Sequence, residues 1–356
     1  MTREVDLPVL PVQPLFDGPL DIVGDVHGEW LALRSLLTHL GYDAHGEHRL
    51  GRRLVFVGDL CDRGPDSPAV MEFTQRLVAR GVAQCVLGNH ELNLVRQERK
   101  PGNGWFFEEH RDHARPEYRH ARRATARDRD AIRHFAASLP LALQRADLRV
   151  THAAWHDDSV RAVSQHGSLS HLDRYRHYET LVDAAVSDAL AAQARSERRE
   201  FGAALYDRQN AVPLLGAIAV TDELYQMRNP LRVLTSGIER RAERSYFASG
   251  KWRMVERVAW WQEYAEPIPV VMGHYWRWIN SGGRAHYSHG ELDLFRDVQP
   301  FEWLGPRANV YCIDYSVGAR FREIHDGHAP GTFTRLAALR WPEREVITEN
   351  GERIPT

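Results

Sequence analysis

Five short stretches of this chain carry residues able to bind metal ions or move protons. They are GDVHG (24–28), GDLCDRG (58–64), GNHE (88–91), THA (151–153) and GH (273–274). Singly each is weak, because a lone Asp or His is far more often a turn or a hydrogen-bonded core residue. Together they supply Asp25, His27, Asp59, Asn89, His152 and His274, a mixed oxygen and nitrogen donor set without thiolate. Such a set suits Mn²⁺, Fe or Zn²⁺ rather than Ca²⁺ or an iron–sulfur cluster. A carboxylate can bridge two ions, so Asp59 in the middle motif can hold a pair about 3.5–4 Å apart. Such a pair acidifies a shared water and clamps the attacking and leaving oxygens of a phosphoryl displacement. Arg63 can grip phosphate oxygens with two parallel N–H groups, which lysine cannot reproduce. His90 can protonate a leaving oxygen, and Asp62 can orient it and keep it cationic.

The elements that must position these residues are legible as strand–helix units. Leu20–Val23, Leu54–Val57 and Cys85–Leu87 are short apolar runs, each stopping at a glycine followed by Asp25, Asp59 or Asn89. Asp25, Asp59 and Asn89 stand 34 and 30 residues apart, the length of one strand–helix–strand unit. Trp30, Leu33, Leu36, Leu37 and Leu40 have helical spacing and are closed by Gly41. Ser67-Pro68 predicts a helix N-cap with proline in the first turn, leading through Val70, Phe73, Leu77 and Val78. The alternation predicts a parallel sheet whose strand ends emerge on one edge, where open α/β sheets place their sites. Later strands are expected at 148–151, 269–272 and 309–313, with closing strands near 333–340 and 345–347. A helix carrying Tyr178, Leu181, Val182, Ala185 and Ala189 on one stripe is expected within 156–265.

Composition bounds the rest. A chain of 356 residues, 43% hydrophobic and 26% charged, can build one large or two ordinary domains, and disorder or coiled coil is excluded. With 46 Lys+Arg against 48 Asp+Glu, net charge is −2, so no overall field recruits nucleic acid. The stretch 96–134 is the local exception, with eleven basic residues, seven acidic ones and four histidines. Cys61, Cys85 and Cys312 are odd in number and lie in apolar surroundings, which predicts core packing rather than disulfides. The first residues lack the apolar run of a signal peptide, and no stretch reaches the roughly 18 apolar residues of a membrane span. The expectation is a soluble protein of a reducing cytoplasm, with no membrane association.

These motifs resemble the calcineurin-like metallophosphoesterases, and more narrowly their PPP-type branch, whose signature is GDxHG, GDxxDRG, GNHE and two later histidines. GDLCDRGPDS and NVYCIDYSVGAR are similar to bacterial members, the serine/threonine phosphatase and diadenosine tetraphosphatase-like enzymes. The resemblance covers roughly residues 18–98 and resumes around His152, His274 and 309–320. It implies a four-layer α/β/β/α sandwich with helical insertions, spanning 15–350. Asp25 and His27 would bind one divalent ion, with Asp59 bridging and Asn89, His152 and His274 on the other; Mn²⁺ is expected first, with Fe or Zn²⁺ as alternatives. His90 and Asp62 would form the acid pair and Arg63 would bind substrate.

The implied function is hydrolysis of phosphomonoesters, on protein or small molecules, by a metal-bridging hydroxide without a covalent intermediate. The alternatives are a dinucleoside-polyphosphate hydrolase, a polynucleotide-end phosphatase using the basic stretch, or a non-catalytic phospho-binding scaffold. A nucleic-acid partner is possible on this reading but not favoured, and no protein partner is indicated. Two departures from the family pattern stand out. Ala153-Ala154 follows the first late histidine where the family usually has glycine. A further phosphate-binding arginine has Arg240, Arg241, Arg253 and Arg277 as candidates. Residues 96–134 read as a basic helical insertion, and 156–265 as a cap-like insertion that selects substrate. Seven of ten tryptophans follow residue 250, including Trp276 and Trp278 beside His274; they are expected in the core or as a wall that stacks a planar group.

Overall fold

The computed structural model describes residues 8–107, 121–248, 250–287 and 293–356. Its centre is two sheets laid face to face. The six-stranded sheet runs β13 (Arg353–Pro355), β12 (Glu345–Thr348), β11 (Ala337–Trp341), β2 (Leu20–Val23), β3 (Arg53–Phe56) and β4 (Ala83–Cys85). The five-stranded sheet runs β1 (Val12–Pro14), β5 (Ala142–Arg145), β6 (Leu148–Thr151), β9 (Val270–Met272) and β10 (Val310–Cys312). Each contains a parallel triplet, β2–β3–β4 in one and β6–β9–β10 in the other, and these triplets end on the motif residues. The remaining pairs, apart from the parallel β1–β5 edge, are antiparallel, so both sheets are mixed rather than purely parallel.

The period of two along each strand decides which layer a residue joins. Ile22, Val55 and Leu339 point inward to meet Leu143, Val150, Val271 and Tyr311 of the facing sheet. Their neighbours Val23, Leu54 and Phe56 point outward onto α1 (Trp30–Leu40) and α2 (Ser67–Ala79). On the other side Val270, Met272, Val310 and Cys312 meet Trp260, Trp261 and Tyr275. The result is the layered α/β/β/α sandwich expected from the motifs. Gly41 closes α1 in the left-handed conformation. At α2 the N-cap is Asp66, not Ser67; Asp66 accepts from the Ala69 N–H, leaving the Ser67 hydroxyl free to accept from the Asp62 N–H. All three cysteines are buried and free.

Further helices are α3 (Asn89–Val95), α4 (Ala126–Ser138), α5 (Asp157–Gln165), α6 (His171–Ala185), α7 (Asp188–Phe201), α8 (Gly216–Met227), α9 (Pro230–Ser236), α10 (Ser281–Tyr287) and α11 (Arg320–His325). Of the basic stretch 96–134, residues 108–120 lie outside the described residues. Within 156–265 two packings coexist. Val163, Tyr175, Tyr178, Leu231 and Leu234 of α5, α6 and α9 join the core beside α1 and α2. Ala194, Leu215, Ile218 and Met254 build a separate small core under the antiparallel hairpin β7 (Glu239–Ala248) and β8 (Lys251–Arg257). The expected single helix through Tyr178 and Ala189 is broken in two. Ser187 caps a new helix by accepting from the Leu190 N–H, and Leu181 is left half exposed.

At the edge of β2 away from the motif residues, the fully buried Asp21 anchors the sheet. Its carboxylate accepts from Arg52 Nε, Arg340 Nε and the Tyr42 hydroxyl, at 2.9–3.2 Å. Asp21→Ala leaves the Arg340 Nε, the Arg52 Nε and the Tyr42 hydroxyl without their acceptor, while Arg52 keeps Glu343, and is expected to cost about 3 kcal/mol. Urea unfolding should show a lower midpoint at unchanged slope; an unchanged midpoint contradicts this role.

Candidate metal centre

The ends of β2, β3, β4, β6, β9 and β10 converge between the two sheets. Asp25 and His27 follow β2, Asp59 follows β3, and Asn89 opens α3 after β4. His152 follows β6, His274 follows β9, and Asp314 follows β10. Bonds across the gap lock this joint. The His274 N–H donates to the Asp25 carboxylate at 3.1 and 3.3 Å, and His152 Nδ1 donates to the Val57 carbonyl at 2.7 Å. Space at the joint admits no side chain at several positions, Gly24, Gly64, Gly88, Gly273 and Gly318 among them. A Cβ on Gly273 would lie 1.9 Å from Asp25 Oδ1, and one on Gly318 would lie 2.4 Å from His27 Cδ2.

All six predicted metal ligands lie together. Among the described residues, donor atoms of His27, Asp59 and His90 lie within 4.8 Å of one another, as do those of Asp59, His152 and His274. Asp59 belongs to both groups. Its Oδ2 is 3.3 Å from His152 Nε2 and 3.8 Å from Nε2 of His27 and of His90. Asp25 Oδ2 is 3.8 Å from His27 Nε2. Asn89 Oδ1 is 3.2 Å from His152 Nε2 and 3.0 Å from His274 Nδ1.

The protonation logic fits a cation. His27 and His152 each give Nδ1–H to a backbone carbonyl, of Cys61 at 3.0 Å and of Val57, which turns Nε2 of both rings toward the Asp59 carboxylate. Nε2 of each ring is thereby placed where a divalent ion could take it as a ligand. Charge says the same. Burial, then the Asp314 and Asp59 carboxylates, push Asp25 well above the usual carboxylate range, and burial raises Asp314. Burial, then Arg63, hold His27 well below its ordinary value; burial, then Arg257, do the same for His274. For His152 burial is outweighed by Asp59, and its value is raised.

The other predicted residues form one chain of contacts beside Asp59. His90 Nδ1 donates to Asp62 Oδ2 at 2.5 Å, and Asp62 is fully buried. Arg63 reaches His27 Nε2 with one guanidinium nitrogen and His90 Nε2 with the other, both at 3.1 Å. Asp62 and Arg63 are consecutive residues in the left-handed region, with φ of 71° and 70°, and Asp59, His27 and His274 share that sign. Such strain clusters where a backbone is bent to aim a side chain.

Three positions were missed or misjudged from sequence. Glu91, the last residue of GNHE, is fully buried and accepts from the N–H groups of Asp59, Leu60 and Gly88, so it fixes the Asp59 loop. Asp314 accepts from the N–H groups of Trp276 and Ser316; an acid directly after a strand was its only signal. The arginine whose charge acts most on His274 is Arg257 on β8. Arg240 and Arg241 pair with Glu256 and Glu223, Arg253 donates to the Ala248 carbonyl, and the buried Arg277 donates to carbonyls of Gln299 and Glu302. Trp278 is buried and stacks on Tyr287, whereas Trp276 lies half-buried with its ring 4.8 Å from the Arg63 guanidinium. Ala153 and Ala154 are accommodated without exposure, and the Ala153 N–H donates to the Leu234 carbonyl.

Residues 18–201 match the model of the calcineurin-like phosphoesterase family, and the chain belongs to that family of metal-dependent phosphoric ester hydrolases. The chain is 44% identical over 80 residues to the bis(5'-nucleosyl)-tetraphosphatase PrpE of Oceanobacillus iheyensis, and 40% identical over 79 residues to that of Bacillus subtilis. Those stretches are 22% and 21% of this chain and 32% of each relative, so the match spans about a third of those proteins. Among solved structures it is similar to a putative diadenosine tetraphosphatase, at TM-score 0.43 and 17% identity over 96% of this chain and 97% of that one. It is also similar to a cold-active protein-tyrosine phosphatase of a Shewanella species, at TM-score 0.44 and 15% identity over 99% and 84%. No helix among the described residues is long and apolar enough to cross a membrane.

Asp59→Asn should abolish phosphoester turnover and remove more than one equivalent of bound metal, because one lost charge weakens both halves of the centre. Elemental analysis finding two retained ions with near wild-type turnover contradicts that arrangement.

Proposed function

We propose that the protein is a metal-dependent phosphoric ester hydrolase acting on phosphomonoesters through a two-ion centre and a histidine acid. The observation that carries this reading is the Asp62–His90 pair, closed at 2.5 Å and linked by Arg63 to the candidate ligand His27. Asp25, His27 and Asp59 would hold one divalent ion, and Asp59, Asn89, His152 and His274 the other, Mn²⁺ being the first expected. When bound, the ions supply a nucleophilic water and charge on the phosphoryl oxygens.

The chain's own residues do the rest. Arg63 is a donor only, so it occupies Nε2 of both His27 and His90. A phosphate that draws Arg63 to its own oxygens frees His90 Nε2 to carry a proton, and the Asp62 carboxylate supports the resulting imidazolium. Nε2 then delivers the proton to the leaving oxygen as the P–O bond breaks. Arg257, whose charge acts on His274, offers a second guanidinium to the substrate. A centre buried between two sheets also keeps competing water from these charges, which strengthens each interaction.

The same machinery would serve a dinucleoside polyphosphate, and the motif-bearing segment's 40–44% identity to proteins named tetraphosphatases favours that second reading. The scaffold reading has no observation behind it, since the candidate ligands, the acid pair and Arg63 lie close together.

Leaving groups test the acid. His90→Asn should lower kcat for alkyl and phenyl phosphates about 10²-fold or more, and much less for p-nitrophenyl phosphate, whose phenolate needs little protonation. Equal losses across the series would demote His90 to a positioning role. Diadenosine tetraphosphate assayed beside phenyl phosphate decides between the two substrate classes by the ratio of kcat/KM.

A further inference from the structure

The acid pair has a third member that no motif contains. Asp62 uses Oδ2 for His90, and its Oδ1 accepts the indole N–H of Trp105 at 2.6 Å. Trp105 belongs to the stretch after α3, outside the strand-end motifs, and is 4% exposed. The loop bearing it is braced at several points. Asn103, fully buried, donates to the Glu98 carbonyl and accepts from the Lys100 N–H, and the Ala124 N–H donates to the Trp105 carbonyl. The same loop holds the neighbour of Asp62 as well, since the Arg63 N–H donates to the Gly102 carbonyl at 3.3 Å. Residues 102 and 105 therefore support the two consecutive left-handed residues on which the acid and the phosphate arginine depend.

We propose that Trp105 is a positioning residue for phosphoester hydrolysis, holding the Asp62 carboxylate in the orientation that lets His90 protonate the leaving group. Two physical facts give it that role. Oδ1 of Asp62 is buried, and without the indole N–H it has no other hydrogen-bond donor among the described residues, so the carboxylate must rotate or take up a proton. Either change breaks the geometry with His90, because a neutral or turned Asp62 no longer supports a cationic imidazole. In the step concerned, the electron pair of the breaking P–O bond passes to the leaving oxygen, which takes the proton from His90 Nε2. His90 is left neutral, with Nδ1–H still on Asp62. An indole suits this task since it is a donor only and does not titrate, so it holds the carboxylate without competing for the proton.

The inference rests on His90 as the acid, and the test separates the two. Wild type, His90→Asn, Trp105→Phe and Trp105→His would be compared on kcat across alkyl, phenyl and nitrophenyl phosphates with Mn²⁺ present. Trp105→Phe keeps the aromatic bulk and removes the donor; it should lose about tenfold more on phenyl phosphate than on p-nitrophenyl phosphate, a part of the 10²–10⁴-fold that general acids provide. Trp105→His, which restores a ring N–H, should recover part of that difference. If His90→Asn is leaving-group dependent while Trp105→Phe loses equally on every ester, Trp105 only packs and the inference is overturned. If His90→Asn itself shows no leaving-group dependence, the acid assignment falls and takes the inference with it. Should near-ultraviolet circular dichroism show Trp105→Phe to be misfolded, 3-benzothienylalanine at position 105 alone removes the N–H at equal shape, and the same two outcomes apply.

Discussion

Three carboxylates, of Asp25, Asp59 and Asp314, are buried within one joint between two β-sheets, and this concentration of like charge is the constraint on which the structure turns. Their mutual repulsion and desolvation raise Asp25 and Asp314, while the surrounding imidazoles stabilise the charged form of Asp59. Arg63, held on the rings of His27 and His90, opposes the rise at Asp25 and Asp314 by its charge, and His27 and His274 are driven toward neutrality. A folded chain can tolerate such a site in two ways: the carboxylates protonate, or cations enter. The ring orientations fit cations, because the Nδ1–H bonds to Cys61 and Val57 turn Nε2 of two imidazoles inward. Family membership and electrostatics thus lead independently to the same requirement for divalent ions.

Much of the surrounding architecture serves to hold those groups against their own repulsion. Glu91 ties down three N–H groups around Asp59, and the Ser67 hydroxyl takes the N–H of Asp62. The left-handed backbone at His27, Asp59, Asp62, Arg63 and His274 costs of order 1–3 kcal/mol per residue in isolation, and persists because packed sheets on both sides leave no alternative. Gly273 and Gly318 let the strand ends approach within a distance at which any Cβ would collide with Asp25 or His27. The stability to support this comes from elsewhere, from the dry layer of Ile22, Val55, Val271, Tyr311 and Leu339 between the sheets.

What could be read from the residues alone follows the range of the interactions involved. The strands before Asp25, Asp59, Asn89 and His274 were legible because a short apolar run ending in glycine is a local signal. All six candidate ligands, and His90, Asp62 and Arg63, were found from motif spacing, and the structure brings them together. The partner of each remote group was not legible. Trp105 meets Asp62 across 43 residues and Arg257 acts on the charge of His274 from a hairpin, so neither leaves a periodic trace. The edge strands β1, β5 and β13 were missed because they are three or four residues long, and their pairing is set by the sheet rather than by their own pattern. The break between α6 and α7 falls at Ser187, where a serine before an acid is a local helix-start signal.

The most direct measurement is anomalous diffraction at the manganese edge from crystals of the protein equilibrated with Mn²⁺. Two peaks about 3.5–4 Å apart, one on each side of the Asp59 carboxylate and within bonding distance of His27 and His152 respectively, are the predicted result. A single peak, or density away from Asp59, would contradict a shared dinuclear centre.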